Sequence, residues 1–214
     1  MPQTFQAGPE HRTASRERGR TGRVPASWRR LATRPRNPIT GLNMYGPWSS
    51  LKPYALKLLK HDQARMRRML KELDHAQTGG ERTTQLGRVE SELAVYSRLE
   101  HEVFYPAYRR VCRTVKQRKV YHECVELHRA IELHLADLRK APPESAQFGG
   151  RARSLRLACL DLFREEQRVL FPQARRLMGR ANLKALGRTM QDHRRAILRN
   201  PGLQPMSTIQ AAPG

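Results

Sequence analysis

The sequence predicts an all-α protein: an up-down-up-down four-helix bundle with a short C-terminal fifth helix and a disordered, basic N-terminal arm. From Leu51 onward, apolar residues recur at helical spacing, and Val, Ile and Thr do not cluster as strands require. The periodic segments are long and the breaks between them short, which favours antiparallel neighbours. One stretch also occurs twice, 66 residues apart. Glu100 to Arg110 and Glu166 to Arg176 both read Glu, two variable residues, Val, two large apolar residues, Pro, two variable residues, Arg-Arg.

Residues 1–50 contain nine arginines, no lysine and only Glu10 and Glu17 as acids, a net charge of +7. So little apolar surface does not offset the entropy of ordering, and this arm is expected to be disordered. The bundle is expected over 51–199 and a flexible tail over 200–214. The first helix is placed at about 50–76, stopping before Thr78-Gly79-Gly80. The second spans about 83–114, with a kink at Pro106, which lacks an N–H and clashes with the preceding turn. The third runs from about 117 to 140, before Ala141-Pro142-Pro143, and the fourth covers about 150–178, with Pro172 at the equivalent kink. A shorter fifth helix follows at about 181–198.

The chain carries a net charge of +22, so +15 remains on residues 51–214. Arg109, Arg110, Arg113, Lys116, Arg118 and Lys119 crowd the region between the second and third helices. Together with the arm they imply nonspecific association with nucleic acid or other polyanions; no base-reading motif is visible. No apolar run approaches the roughly 18 residues of a membrane span. Arg29-Arg30 is followed by Pro35, Arg36 and Pro38 where an export signal would be apolar, and Cys112, Cys124 and Cys159 are too few and scattered for a disulfide framework. A cytoplasmic location is therefore expected.

Several polar residues fall on apolar stripes. In the second helix Val89, Leu93, Tyr96, Glu100 and Val103 share one face, and in the fourth Leu155, Cys159, Leu162, Glu166 and Val169 do. Tyr121, Cys124, His128, Ile131 and Leu135 make the stripe of the third. In the first helix Gln63 stands among Leu59, Met66 and Leu70, whereas His61 lies beside Lys57 and Arg65 and is read as a surface residue. His75, His101, His122, His134 and His193 are also read as surface residues. The expected interior thus holds Gln63, Tyr96, Glu100, His128, Leu162 and Glu166. Buried carboxylates must be neutral, hydrogen-bonded, paired with a cation or bound to a metal. Two of them facing an imidazole suit a first-row metal such as iron or manganese.

At these residues the chain resembles the hemerythrin-like, HHE cation-binding family. The resemblance covers about 52–195 and rests on Leu-Leu-Lys-x-Asp, Glu-x-x-Val-Phe-Tyr-Pro, Leu-His-Arg-Ala-Ile and Glu-Glu-x-x-x-Leu-Phe-Pro in successive helices, with Leu186-Gly187-Arg188-Thr189-Met190 in the fifth. It implies a four-helix bundle with a non-haem diiron centre used in oxygen binding, iron or oxygen sensing, or peroxide chemistry. The family's ligand set is only partly present. Glu100, Glu166 and His128 match it, while Gln63, Tyr96 and Leu162 stand where histidines are expected. The resemblance therefore implies an iron site, mononuclear or dinuclear, held by Glu100, His128 and Glu166 with Tyr96 as an added phenolate. The alternative is a metal-free bundle that serves as a basic interaction module. No nucleophile–base pair appears outside this site, so nothing else points to catalysis.

Overall fold

The computed structural model describes residues 54–199; the arm at 1–50 and the tail at 200–214 lie outside the described residues. Helix α1 (Ala55–His75) buries Leu59, Gln63, Met66 and Leu70 along one face and ends at Ala76, whose backbone is extended. Helix α2 (Gly79–Leu99) begins earlier than expected, because Thr78 and Glu81 form a reciprocal capping box. Gly79-Gly80, expected to stop the first helix, instead opens the second. A Cβ at Gly79 would lie 1.8 Å from Oε1 of Glu144, so the first and third interhelical connections meet here and the Glu144 side chain would have to shift to admit one. Arg82 laces them together, donating to the carbonyls of Pro143 at 2.7 Å and Ala76 at 3.1 Å.

The expected kinks take the form of two π-helical turns, Glu100–Phe104 and Glu166–Leu170. In each, the N–H of the residue just before the proline reaches back five residues, from Tyr105 to the Glu100 carbonyl and from Phe171 to the Glu166 carbonyl. The wider turn accommodates a proline that has no N–H and whose ring crowds the carbonyl four residues earlier. Helices α3 (Tyr105–Val111) and α6 (Phe171–Arg199) continue the two rods. The extra residue advances the inward face. Val103 is buried as expected, but Phe104 and Tyr105 join it; in the second copy Leu170 and Phe171 are buried and Val169, expected inside, is half-exposed.

Helix α4 (Val115–Leu138) starts at a second capping box, Thr114 with Gln117, and α5 (Ala146–Glu165) is capped by Ser145. The main packing is α1 on α2 and α4 on α5, with α1 also against α5. Gly179, at φ 72°, ends the fourth rod inside α6 and starts a fifth helical segment. Arg194 on that segment is buried and donates to Asp62 and Glu92 at 3.0 Å each, which pins it to α1 and α2. Among the described residues, no helix is long and apolar enough to cross a membrane.

The second and fourth rods run in the same direction, so both Arg-Arg pairs of the repeat lie at one end of the bundle, where α3 packs on α6. Arg109, Arg110, Arg175 and Arg176 are all exposed there.

Candidate metal centre

The six interior residues expected from the sequence are all buried, and hydrogen bonds and ligand geometry bring Gln63, Tyr96, Glu100, His128 and Glu166 together. Gln63, Glu100, Leu162 and Glu166 are 0% exposed, Tyr96 1% and His128 2%. Each sits on the packed stripe of its helix, so the bundle places them by the same burial that forms its core.

Glu166 organises the cluster. Its Oε2 accepts hydrogen bonds from the Tyr96 hydroxyl and the Gln63 amide, both at 2.7 Å, and its Oε1 accepts one from Tyr105 at 2.7 Å. The Gln63 amide also donates to the Tyr96 hydroxyl at 2.8 Å, and Gln167 fixes the other end of Gln63. Across the site, Nε2 of His128 lies 2.7 Å from Oε2 of Glu100 and 3.1 Å from the Tyr105 hydroxyl, while Ser97 reaches its Nδ1 at 3.4 Å. The hydroxyl of Tyr105 thus stands between both glutamates and the imidazole.

Tyr105 is the residue that sequence reasoning missed. On an unbroken α-helix the stripe through Glu100 continues to Val103 and leaves Tyr105 aside; the π turn brings it in. The available signal was the tyrosine directly before Pro106, five residues after the glutamate. His101 needs the opposite correction, because it was expected at the surface. The same turn tucks its ring against His128, centroids 4.6 Å apart, and its Nε2 is buried without a hydrogen-bond partner. His61, also expected at the surface, is about one-third exposed, with its Nδ1 buried near Asp62. Cys124 and Cys159 are fully buried, with thiols pushed up by that burial.

Burial dominates the electrostatics. It raises the carboxyl of Glu100 to about 8, against hydrogen bonds that favour the charged form, and holds Glu166 well above the usual carboxylate range, with the charge of Glu100 adding to the effect. The same desolvation, reinforced by both glutamates, pushes the hydroxyls of Tyr96 and Tyr105 far up. It lowers His128 and takes His101 down to about 3. Every shift disfavours the charged form, because desolvation outweighs the hydrogen bonds and among the described residues no lysine or arginine pairs with the two carboxyls.

Two observations show that these residues fit a metal ion. One ligand atom each from Glu100, His128 and Glu166 falls within 4.8 Å of the others. Oε1 of Glu100 is buried with no donor in hydrogen-bonding geometry, which leaves it open to a cation or to a proton shared with Glu166. Hard carboxylate oxygens with an imidazole are a donor set suited to iron or manganese.

No protein-family model matches the chain, and neither does any curated protein. Among solved structures it is similar to the crystal structure of a hemerythrin HHE cation binding domain-containing protein from Mycobacterium kansasii. The two share 20% identity over 69% of this chain and 91% of that one, with a TM-score of 0.59. The fold is hemerythrin-like. Within this hemerythrin-like bundle Gln63, Tyr96, Glu100, His128, Leu162 and Glu166 are all buried.

Proposed function

We propose that this chain is a hemerythrin-like metal-binding protein whose buried site holds iron through Glu100, His128 and Glu166, in a role in iron, oxygen or peroxide handling. The single observation that carries the reading is the pair of fully buried carboxyls which, among the described residues, have no lysine or arginine partner. Such a pair stays protonated at a substantial desolvation cost or is neutralised by a metal. Tyr105 is better placed than Tyr96 to add a phenolate. Its hydroxyl faces both glutamates and His128, whereas Tyr96 is engaged with Gln63 and one oxygen of Glu166. Bound iron would supply a redox-active Lewis acid. The protein's own part is to hold the donors rigidly, to keep bulk water out, and to orient His128 through Ser97.

Metal analysis of protein expressed in iron-replete medium, with its optical spectrum, tests this. Stoichiometric iron and a phenolate-to-ferric band that disappears in Tyr105→Phe are expected. Protein that carries no iron after such expression rules the reading out.

A second reading concerns the basic end. Arg109, Arg110, Arg175 and Arg176 are exposed together, and among the described residues no carboxylate lies within 4.0 Å of them. This favours nonspecific association with nucleic acid or other polyanions, to which the arm would add. Retention on DNA should fall steeply with salt and weaken when the four arginines are changed to serine. No retention at low salt counts against it.

A further inference from the structure

We infer that the site holds a single metal ion, confined to the side bounded by Glu100, His128, Tyr105 and Oε1 of Glu166. The inference rests on the metal reading above and departs from the paired centre that the resemblance implies. Internal pseudosymmetry supplies the argument. The 66-residue repeat pairs Tyr96 with Leu162, Glu100 with Glu166 and Tyr105 with Phe171, and a nearly equal offset pairs Gln63 with His128. A two-ion site needs comparable donors on both sides of the bridging glutamates.

Here the sides differ in kind. On one, Oε1 of Glu100 is buried without a donor, Nε2 of His128 is turned toward Glu100, and the Tyr105 hydroxyl lies within reach of both. A cation here would replace the proton that Tyr105 donates to Oε1 of Glu166 and the one between His128 and Glu100, and would gain the unpartnered Oε1 of Glu100. On the other, Oε2 of Glu166 already accepts two hydrogen bonds, and the donors are Gln63 and Tyr96, the residues at the vacated ligand positions. Gln63 is held in turn by Gln167. A second ion would have to displace both hydrogen bonds and would gain an amide, a phenol already engaged, and Leu162, which has no donor atom. Tyr96 packs edge-on to Phe163 at 5.8 Å, which makes that side drier still.

Charge points the same way. Two carboxylates and one phenolate carry three negative charges, which a single ferric ion cancels. Two ferric ions would leave these three donors with a net positive charge of three to be neutralised in a pocket whose walls are buried.

The test uses the full-length chain, stripped of metal, reconstituted anaerobically with excess ferrous iron, desalted and then oxidised in air. One iron per chain is expected, with the low-field electron paramagnetic resonance signal of an isolated high-spin ferric ion. Two irons per chain with a silent, coupled spectrum would overturn the single-ion inference while leaving the metal reading intact. No iron removes both. The double variant Gln63→His with Leu162→His supplies the missing imidazoles; it should take up a second iron and lose the isolated-ion signal. If it stays at one ion, the filled positions are not what limits the wild-type protein, and the inference falls.

Discussion

In the first copy of the repeat, a tyrosine precedes the inward glutamate by four residues and another follows it by five; in the second copy those places hold leucine and phenylalanine. The backbones are alike. Both copies enter a π turn at the glutamate and resume α-helix just before the proline, and both end in an exposed Arg-Arg pair. The chemistry differs because burial constrains volume and shape at these positions more than it constrains polarity. Phe171 fills the place of Tyr105, and Leu162 packs where Tyr96 hydrogen-bonds. The duplicated fold has therefore kept its symmetry while its polar site has lost it.

The largest expected effect comes from removing a charge from the centre of that asymmetry. Glu166→Gln and Glu100→Gln should each lower iron affinity by at least about 100-fold, read by competition with a chelator, since each removes an anionic donor that nothing nearby replaces. If Glu166→Gln keeps its iron, the ion lies elsewhere.

Comparison of the two tyrosines sharpens the contrast. Tyr105→Phe makes the first copy resemble the second. It should abolish the optical band and weaken iron binding by roughly 10- to 100-fold, whereas Tyr96→Phe should leave the band in place. Equal loss from both would mean that the phenols act only through Glu166.

A smaller effect appears in stability against pH. The carboxyl of Glu100 titrates near 8 in the fold and near 4.5 when unfolded. Between these values the unfolded chain is ionised and the folded one is not, so rising pH destabilises the fold. His128 and His101 are lowered from 6.5 and act in the opposite sense below that pH, losing stability as pH falls. The histidine contribution fades within about one pH unit above 6.5, where the carboxyls dominate. The unfolding free energy of metal-stripped protein, from denaturant titrations, should therefore decline between about pH 7 and 8, by about 1 kcal/mol per pH unit for each carboxyl involved. A flat profile would show that the pair is not protonated in the metal-free fold.

The smallest effect is expected from Glu100→Gln together with Glu166→Gln in the same metal-free protein at neutral pH. Stability should be unchanged or higher by about 1 kcal/mol, because the desolvation cost of the acids is removed. A marked loss would assign the glutamates to the structural network of Gln63, Tyr96 and Tyr105 rather than to a metal.

Periodicity alone placed Glu100, Glu166, Gln63 and His128 inside, since a helix face is determined by sequence spacing and a bundle must bury its apolar stripes. It did the same for Tyr96 and Leu162, and the doubled motif revealed the two related halves. Three features depended on the tertiary structure. Gly79 opens a helix because Thr78 and Glu81 close a capping box there, where the connection near Glu144 packs against it. Tyr105 and His101 turn inward because each proline is relieved by a π turn that shifts the register by one residue, which a period of 3.6 does not encode. And which oxygen of Glu166 is already occupied, and which side of the site remains open to a cation, was decided only when residues more than 100 positions apart, such as Gln63 and Glu166, met in the core and exchanged hydrogen bonds.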